Sequence, residues 1–183
     1  MQSEPLKDVI AAATKAHLAN HRSLVSRLVW KRARFENWLQ LCLLNELQSE
    51  LPSLDIERAY PNSSERCDFW LPAETSESWL ELKLCVTNYC STFADFHRAR
   101  PITNQISDIL RDVRKLQRLQ SAERSVFVLA YPLPESYETH SSWQGHLKRI
   151  QDADCSVDEA FALALSRNDV NCKIVGYTIS IVA

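Results

Sequence analysis

The segment Trp79-Leu80-Glu81-Leu82-Lys83-Leu84 alternates large apolar residues with charged ones. Successive side chains of a β-strand point to opposite faces of the sheet, so this pattern predicts a strand whose three leucines point into the core. Glu81 and Lys83 then lie side by side on the other face. The segment therefore predicts both a core strand and a surface that carries a carboxylate next to an ammonium group.

The preceding segment, Arg66-Cys67-Asp68-Phe69-Trp70, alternates in the same way. Between the two segments lies Pro72-Ala73-Glu74-Thr75, whose composition favours a turn. The two segments are therefore predicted to form an antiparallel hairpin that brings Asp68 beside Glu81.

Periodicity predicts the remaining elements. Apolar residues at helical spacing predict one long helix over residues 24–51, ended by Pro52, with a shorter helix at 6–19 before it. The continuously apolar run 125–131 predicts a strand at the centre of the sheet, buried on both faces. Further predictions are extended segments at 54–60, 66–71 and 78–86, helices at 102–120, 143–152 and 157–166, and a last strand at 172–182.

Length and composition predict one α/β domain over residues 1–183, with a core at about 24–131 and C-terminal helices and a last strand at 142–183. The first 20 residues contain neither the apolar core of a signal peptide nor a membrane span, so we expect a cytoplasmic protein without membrane contact. The six cysteines form no C-x-x-C pair, which favours reduced, buried thiols over a metal framework or an iron–sulfur cluster.

A net charge of −2 argues against nucleic-acid binding by bulk electrostatics. Any such role must rest on local basic patches, of which the alternative interpretation is a solvated helix face. Within the first patch, Lys31, Arg32 and Arg34 are the candidates for nucleic-acid contact. The patches comprise His21, Arg22, Arg27, Lys31, Arg32 and Arg34, and later Arg111, Arg114, Lys115, Arg118 and Arg124.

Other residues allow weaker interpretations. Trp70 and Trp79 would either stack on a base or pack over the sheet. The charged loop with His97, Arg98 and Arg100 would contact phosphate or be solvated, and Cys90 with His97 would need a third, positioned group to act as a nucleophilic pair. None of these features decides the class of protein.

The acidic residues of the hairpin suit a hard metal ion. Mg²⁺ takes oxygen ligands, which Asp68, Glu81 and the backbone carbonyl of Leu82 would supply together. Lys83 would orient or activate a metal-bound water, or stabilise the charge of a transition state. Glu36 lies on the apolar side of its predicted helix, which is unusual for a carboxylate unless that side borders a site; the alternative is a solvated position at the helix rim.

Over residues 24–131 the chain resembles the PD-(D/E)XK, or restriction endonuclease-like, superfamily. The resemblance lies in the order of elements: a helix with Glu36, a strand, a strand with Asp68, a strand with Glu81-Leu82-Lys83, a helix and a strand. Cys67 stands where the name-giving proline would be. The resemblance implies an αβββαβ core with a mixed central sheet flanked by helices. It also implies a DNA endonuclease dependent on Mg²⁺, with Mn²⁺ as a substitute.

The resemblance also assigns roles to single residues. Asp68 and Glu81 would be metal ligands, Lys83 the water-organising base or electrostatic stabiliser, and Glu36 a further ligand, direct or through water. Gln105, near the start of the following helix, resembles a polar residue that some members of the superfamily place beside the site.

A triplet of the type [DE]-x-K is expected about once by chance in a chain of this composition, so its context carries the interpretation. One alternative is a catalytically inactive module on the same fold that binds nucleic acid or protein. Another is an enzyme that acts on RNA, or a nuclease subunit of a larger complex. A homodimer would suit the cutting of both strands of a duplex. The type of nucleic acid, the sequence preference and endo or exo action stay open.

Overall fold

The computed structural model describes residues 4–72, 76–90, 100–120, 122–167 and 169–182. These residues form a mixed α/β fold, as predicted. The described residues include five α-helices: α1 Leu6–Asn20, α2 Arg22–Trp30, α3 Glu36–Leu47, α4 Ile102–Gln117 and α5 Ser141–Gln151. The strands are β1 Arg58–Ala59, β2 Arg66–Cys67, β3 Phe69–Leu71, β4 Glu77–Val86, β5 Ala122–Leu133, β6 Cys155–Arg167 and β7 Val170–Ile181.

Five of the strands form one mixed sheet in the order β3-β4-β5-β7-β6. β4 and β5 run parallel, and the other neighbours are antiparallel. β5 is the middle strand, and all of its residues from Ser125 to Leu133 are buried. The predicted position of segment 125–131 at the centre of the sheet is confirmed.

The alternation in β4 divides the core into two layers. Leu80, Leu82 and Leu84 pack on the side of the sheet that α1, α2 and α3 cover. Trp79 and Cys85 lie on the opposite side, among apolar residues of α4 and α5. Glu81 and Lys83 share the α4 side with them by the same period of two. The leucines and the two charged residues of β4 therefore lie on opposite faces, as the sequence predicts, but the charged face is not an open surface, because α4 covers it and Glu81 is buried.

The prediction of one long helix over residues 24–51 is wrong. α2 ends at Trp30 and α3 begins at Glu36. Arg32 has a φ of 51°, in the left-handed region that a continuing helix does not use. In the linker that follows, the carbonyl of Ala33 accepts a hydrogen bond of 2.8 Å from the Tyr131 hydroxyl of β5. Glu36 therefore stands in the first turn of a helix rather than in the middle of one.

The predicted helix at 157–166 is also wrong, since this segment lies in strand β6 and pairs with β7. Phe161 and Leu165 are buried, with exposed residues between them, so the segment follows a period of two rather than a helical period. The Phe161 ring lies over Gly176, where its nearest carbon would be 2.6 Å from an added Cβ. The tertiary contact with β7 therefore outweighs the helix propensity of the alanines in this segment.

The predicted extended segments are shorter or divided. Segment 54–60 forms only β1, together with an isolated bridge from Asp55 to Trp70. Segment 66–71 is divided at Asp68 into β2, which pairs with β1, and β3, which pairs with β4. Asp68 thus lies where the chain changes its pairing partner.

The remaining elements follow the predictions within a few residues: α1 for 6–19, β4 for 78–86, α4 for 102–120, α5 for 143–152 and β7 for 172–182. All six cysteines lie in the described part of the chain, where they are thiols rather than disulfides, and five are buried. Among the described helices, none combines the length and apolarity needed to cross a membrane.

Candidate active site

The site is built on the edge of β4 that β3 leaves uncovered. β3 pairs with Ser78, Trp79 and Leu80, and in the described part of the chain no strand pairs with the later N–H groups on this edge. A backbone N–H left without a partner costs about 1–3 kcal/mol when buried, and side chains take the place of a strand here. Three alternate N–H groups donate to side-chain oxygens: Leu82 to Asp68 Oδ2 at 2.7 Å, Leu84 to Glu36 Oε2 at 3.1 Å, and Val86 to Gln105 Oε1 at 2.8 Å.

Gln105 uses both ends of its amide in this way. Its Nε2 donates to the carbonyls of Val86 and Arg100 at 2.8 and 3.0 Å, and the side chain is buried. Gln105 thereby ties the start of α4 to the end of β4. Its contact with nucleic acid stays a prediction, and the geometry gives it a structural task.

Lys83 lies at the centre of a cluster of carboxylates. Its ammonium group is within 4 Å of four of them, three of which the sequence singles out. The distances from Nζ are 3.4 Å to Asp112 Oδ2, 3.5 Å to Glu81 Oε2, 3.6 Å to Asp68 Oδ2 and 3.9 Å to Glu36 Oε1. The structure therefore brings together all four residues predicted for catalysis, from α3, the junction of β2 and β3, and β4.

Two further charged residues and a tyrosine complete the cluster; the sequence analysis assigned none of them to the site and named Lys115 only as part of the second basic patch. Lys115 Nζ lies 2.9 Å from Glu81 Oε1 and 3.1 Å from Asp112 Oδ1. The Tyr60 hydroxyl donates to the same Glu81 oxygen at 2.6 Å. Asp112 lies on the apolar stripe of α4 between Ile109 and Leu116, which is the signal that singled out Glu36 and would also have found Asp112.

Burial and charge shift the pKa values of the carboxylates in different directions. Burial raises the pKa of Asp68 to about 8, with Lys83 opposing the rise and Glu81 adding to it. At Glu81 burial also acts upward, but Lys83, the Tyr60 hydroxyl and Lys115 outweigh it and lower the pKa. Burial raises the pKa of Glu36 and of Asp112, against the pull of Lys83. The cluster therefore keeps a proton on Asp68 near neutral pH while Glu81 stays ionised.

The two lysines respond to the same charges. At Lys83 burial acts to lower the pKa, but the neighbouring carboxylates, led by Asp68 and Asp112, outweigh burial and raise it. The pKa of Lys115 is raised as well, because Glu81 and Asp112 outweigh its burial. Lys83 is therefore a cation in this arrangement, which favours an electrostatic role over that of a base.

A polar cavity of about 280 Å³ opens beside the cluster. Arg34, one of the residues predicted to contact nucleic acid, lines this cavity. Arg100 and Arg111 line it as well, and both form salt bridges with Asp108. Two other candidates for nucleic-acid contact lie on the turn after α2. Lys31 Nζ is 4.0 Å from the centroid of the Trp30 ring, and Arg32 is half-buried. Arg34 is thus the one of the three that lines this cavity.

The carboxylates fit a hard divalent cation by their chemistry. Four carboxylates face two ammonium groups, so the cluster carries two uncompensated negative charges when every group is ionised. Asp112 Oδ2 is buried and accepts no hydrogen bond. Yet in the described part of the chain no three His, Cys, Asp or Glu side chains stand close enough to form a metal site. Metal entry would require Lys83 to move and the Asp68 proton to leave.

The other sequence candidates lie at the rim of the site or outside the described residues. Trp79 is buried and stacks on Tyr60 with ring centroids 5.1 Å apart. Trp70 donates from its indole nitrogen to Glu77 at 2.6 Å and packs under Arg58. Both contacts favour packing over base stacking. His97 and Arg98 lie outside the described residues.

Comparison with protein-family models, with curated proteins and with solved structures finds no match for this chain. The function must therefore be inferred from the cluster around Lys83 and its surroundings.

Proposed function

We propose that the chain is a metal-dependent nuclease of the restriction endonuclease-like class that hydrolyses phosphodiester bonds in DNA. One observation carries the proposal: Glu36 and Asp68 are fixed to alternate N–H groups of the strand that carries Glu81 and Lys83. Four residues from three separate segments are thus fixed around one point. A carboxylate that merely sits on a surface would not need such anchoring.

Asp68 and Glu81 would hold the metal, with the backbone carbonyl of Leu82 and, directly or through water, Glu36. A bound Mg²⁺, or Mn²⁺ in its place, would supply a Lewis acid that stabilises charge on the phosphate and lowers the pKa of a coordinated water. Glu81 is the neighbour of Leu82 in β4. Asp68 and Glu36 accept hydrogen bonds from the backbone N–H groups of Leu82 and Leu84.

Residues of the chain would position the phosphate and the attacking water and keep Glu81 ionised. Lys83 would place its charge beside a phosphate oxygen and orient the attacking water, because a compact ammonium group approaches a single oxygen closely. Lys115 and Tyr60 would hold Glu81 in its ionised form through their contacts with Oε1. Asp112 would keep Lys83 and Lys115 in place from α4.

A second candidate function is a catalytically inactive module that binds nucleic acid or protein. The observation that favours it is the closed state of the cluster, in which Lys83 stands among the carboxylates that a metal would need. A module of this kind would keep the ion pairs as a structural device and would bind no divalent cation.

Calorimetric titration with Mg²⁺ and Mn²⁺ separates the two candidates. If the chain is a nuclease, the wild type binds the metal and releases about one proton per ion near pH 7, because Asp68 must ionise. Asp68→Asn then binds weakly and releases fewer protons, while Asp152→Asn, on an exposed carboxylate of α5's C-terminal end, behaves as wild type. A folded wild type that binds neither ion contradicts the nuclease proposal and supports the inactive module.

Duplex DNA is the proposed substrate, and RNA is the alternative. A cleavage assay on both nucleic acids would distinguish them. Cutting both strands at one place would need a homodimer or a larger nuclease complex, since one cluster of this kind serves one phosphodiester at a time.

A further inference from the structure

A second cavity, of about 520 Å³, lies away from the Lys83 cluster, where the start of α2 meets the end of β6. Its lining is unusually rich in arginine and serine, and Leu165 is the single apolar residue in it. The lining residues are Arg22, Ser23, Ser26, Arg27, Leu165, Ser166 and Arg167. Three guanidinium groups and three hydroxyls around one concavity are donors for an anion with several oxygens.

The positive charges of this arginine cavity are not paired with a carboxylate of any described residue. Within the described part of the chain, no salt bridge joins Arg22, Arg27 or Arg167 to a carboxylate. Arg22 is held in place by donating to the carbonyl of Ala164. Buried Nη1 of Arg167 donates no hydrogen bond to any described residue. A buried donor without an acceptor is costly, and an anion in the cavity would remove that cost.

Trp30 fixes the plane of one of these groups. The Arg167 Cζ lies 3.6 Å from the centroid of the Trp30 ring, so the guanidinium stacks on the indole. Stacking uses one face of the guanidinium and leaves its edge for hydrogen bonding. Trp30 is therefore covered by Arg167, and the residues that line the cavity include no aromatic ring on which a base would stack.

The arginine cavity and the active site lie at the same end of the sheet. β4 and β5 end there, with Val86 opposite Tyr131, and the turn from β6 to β7 begins there at Arg167. Leu133 of β5 lies opposite Lys173 of β7, which fixes the shared end. The arginine cavity lies on the side of the sheet that α2 covers, and the Lys83 cluster lies on the α4 side, with both near the C-terminal ends of β4 and β5.

The linker after α2 crosses this end from one cavity toward the other. It follows Trp30, which contacts Arg167, and it includes Ala33, which Tyr131 holds. It ends with Arg34, which lines the cavity of the active site. Lys31 and Arg32 lie between, so the basic residues continue from the arginine cavity to the site.

We propose that the arginine cavity binds a backbone phosphate of the same DNA molecule whose scissile phosphate lies at Lys83. The inference rests on the proposed function. A chain with net charge −2 needs such a local concentration of arginine to hold a polyanion. Planar guanidinium groups bind phosphate oxygens in pairs, and the absence of an aromatic ring among the lining residues favours a backbone phosphate over a nucleotide base.

Fluorescence anisotropy of a labelled DNA duplex in EDTA tests this without any need for cleavage. The variant is Arg22→Gln/Arg27→Gln, which removes the two charges and keeps a polar side chain at two exposed positions of α2. We expect its Kd to rise on the order of tenfold, and the slope of log Kd against log salt between about 50 and 200 mM to fall by about one to two. The control, Lys148→Gln/Arg149→Gln on exposed positions of α5, removes the same charge and leaves both values near wild type.

Equal effects of the two double variants would overturn the inference, because the loss would then follow net charge alone. Binding of ATP or inorganic phosphate at micromolar concentration that depends on Arg22 and Arg27, without an effect of these residues on DNA affinity, would also overturn it. That result would assign the cavity to a small anion.

The outcome is separate from that of the proposed nuclease activity. DNA binding that depends on Arg22 and Arg27 in a chain that cuts nothing supports the cavity and contradicts the nuclease. Metal-dependent cutting with unchanged DNA affinity in the arginine variant supports the nuclease and contradicts the cavity. Trp30 fluorescence adds a direct readout in the wild type, since it should change when phosphate reaches Arg167. The change should vanish in Trp30→Phe and in Arg167→Gln.

Discussion

The backbone N–H of Leu84 donates to Glu36 Oε2 at 3.1 Å, across 48 residues of sequence. This bond joins the first turn of α3 to the open edge of β4, one residue beyond Lys83. It gives Glu36 two tasks, because one oxygen satisfies the strand while the other lies 3.9 Å from the Lys83 ammonium group.

The two tasks of Glu36 are separable by substitution. Glu36→Ala leaves the Leu84 N–H without its acceptor and should lower the free energy of unfolding by about 1 kcal/mol, since the site is partly open to water. Glu36→Gln keeps an acceptor and should stay within a few tenths of wild type, yet it should weaken metal binding because the charge is lost. Urea unfolding and calorimetry measure the two effects. Equal destabilisation by both substitutions would contradict the hydrogen-bond role.

The metal-free protein should lose stability as the pH rises. Folding lifts the pKa of Asp68 from its ordinary value of 3.8 to about 8, mainly by burial, so the folded state binds more protons between these values. The free energy of unfolding therefore falls with increasing pH in this window. The raised pKa values of Glu36 and Asp112 act in the same direction, and the lowered pKa of Glu81 acts in the opposite one.

Asp68→Asn isolates the contribution of Asp68 to that pH dependence. Asparagine does not titrate and still offers an oxygen to the Leu82 N–H. We expect a flatter dependence of the free energy of unfolding on pH between pH 5 and about pH 8, measured by urea unfolding with EDTA present. An unchanged slope in the variant would show that another group holds the proton.

Lys115 and Asp112 should prove energetically coupled. Lys115→Met removes donors from Glu81 and Asp112 together and should cost about 2 kcal/mol, in the range for hydrogen bonds to charged groups. Asp112→Asn removes one of the carboxylates that Lys115 neutralises, so the double variant should be less destabilised than the sum of the single ones. Additive effects in a double-mutant cycle would mean that the contact carries no interaction energy.

Gly176→Ala tests the pairing of β6 with β7. The new methyl group would meet the Phe161 ring at 2.6 Å, so we expect a loss of about 2 kcal/mol. Phe161→Leu in the same chain should recover part of that loss by making space. Gly145→Ala is the matched control, because an added Cβ meets nothing within 4 Å there. A neutral Gly176→Ala would contradict the described packing of the two strands.

The parts of the fold that depend on local pattern could be predicted from the sequence. The period of two in β4 places the leucines and Glu81 with Lys83 on opposite faces, and the apolar run of β5 marks the centre of the sheet. The local pattern of segment 157–166 predicts the wrong period, because its alanines suit a helix and its alternating Phe161, Leu163 and Leu165 form a strand only against β7.

Only part of the candidate site could be predicted from the sequence, namely the residues that the periodicity and the superfamily resemblance single out. The hairpin placed Asp68 beside Glu81, but the anchoring of Asp68 and Glu36 to β4 depends on where β3 stops covering that strand. The contribution of Lys115 and Tyr60 is tertiary, since both approach one oxygen of Glu81 from distant segments. The break after Trp30 depends on a backbone conformation at Arg32 that its neighbours in sequence do not require.

Cleavage of supercoiled plasmid in Mg²⁺ or Mn²⁺ tests the central claim most directly. The comparison is between wild type, Lys83→Ala and Asp68→Ala, with Lys148→Ala as a matched loss of an exposed lysine. We predict metal-dependent nicking or linearisation by wild type and Lys148→Ala, and a loss of at least a hundredfold in the two site variants. Cutting that persists in Lys83→Ala and Asp68→Ala, or no cutting by a folded wild type that also binds no metal, would contradict the account.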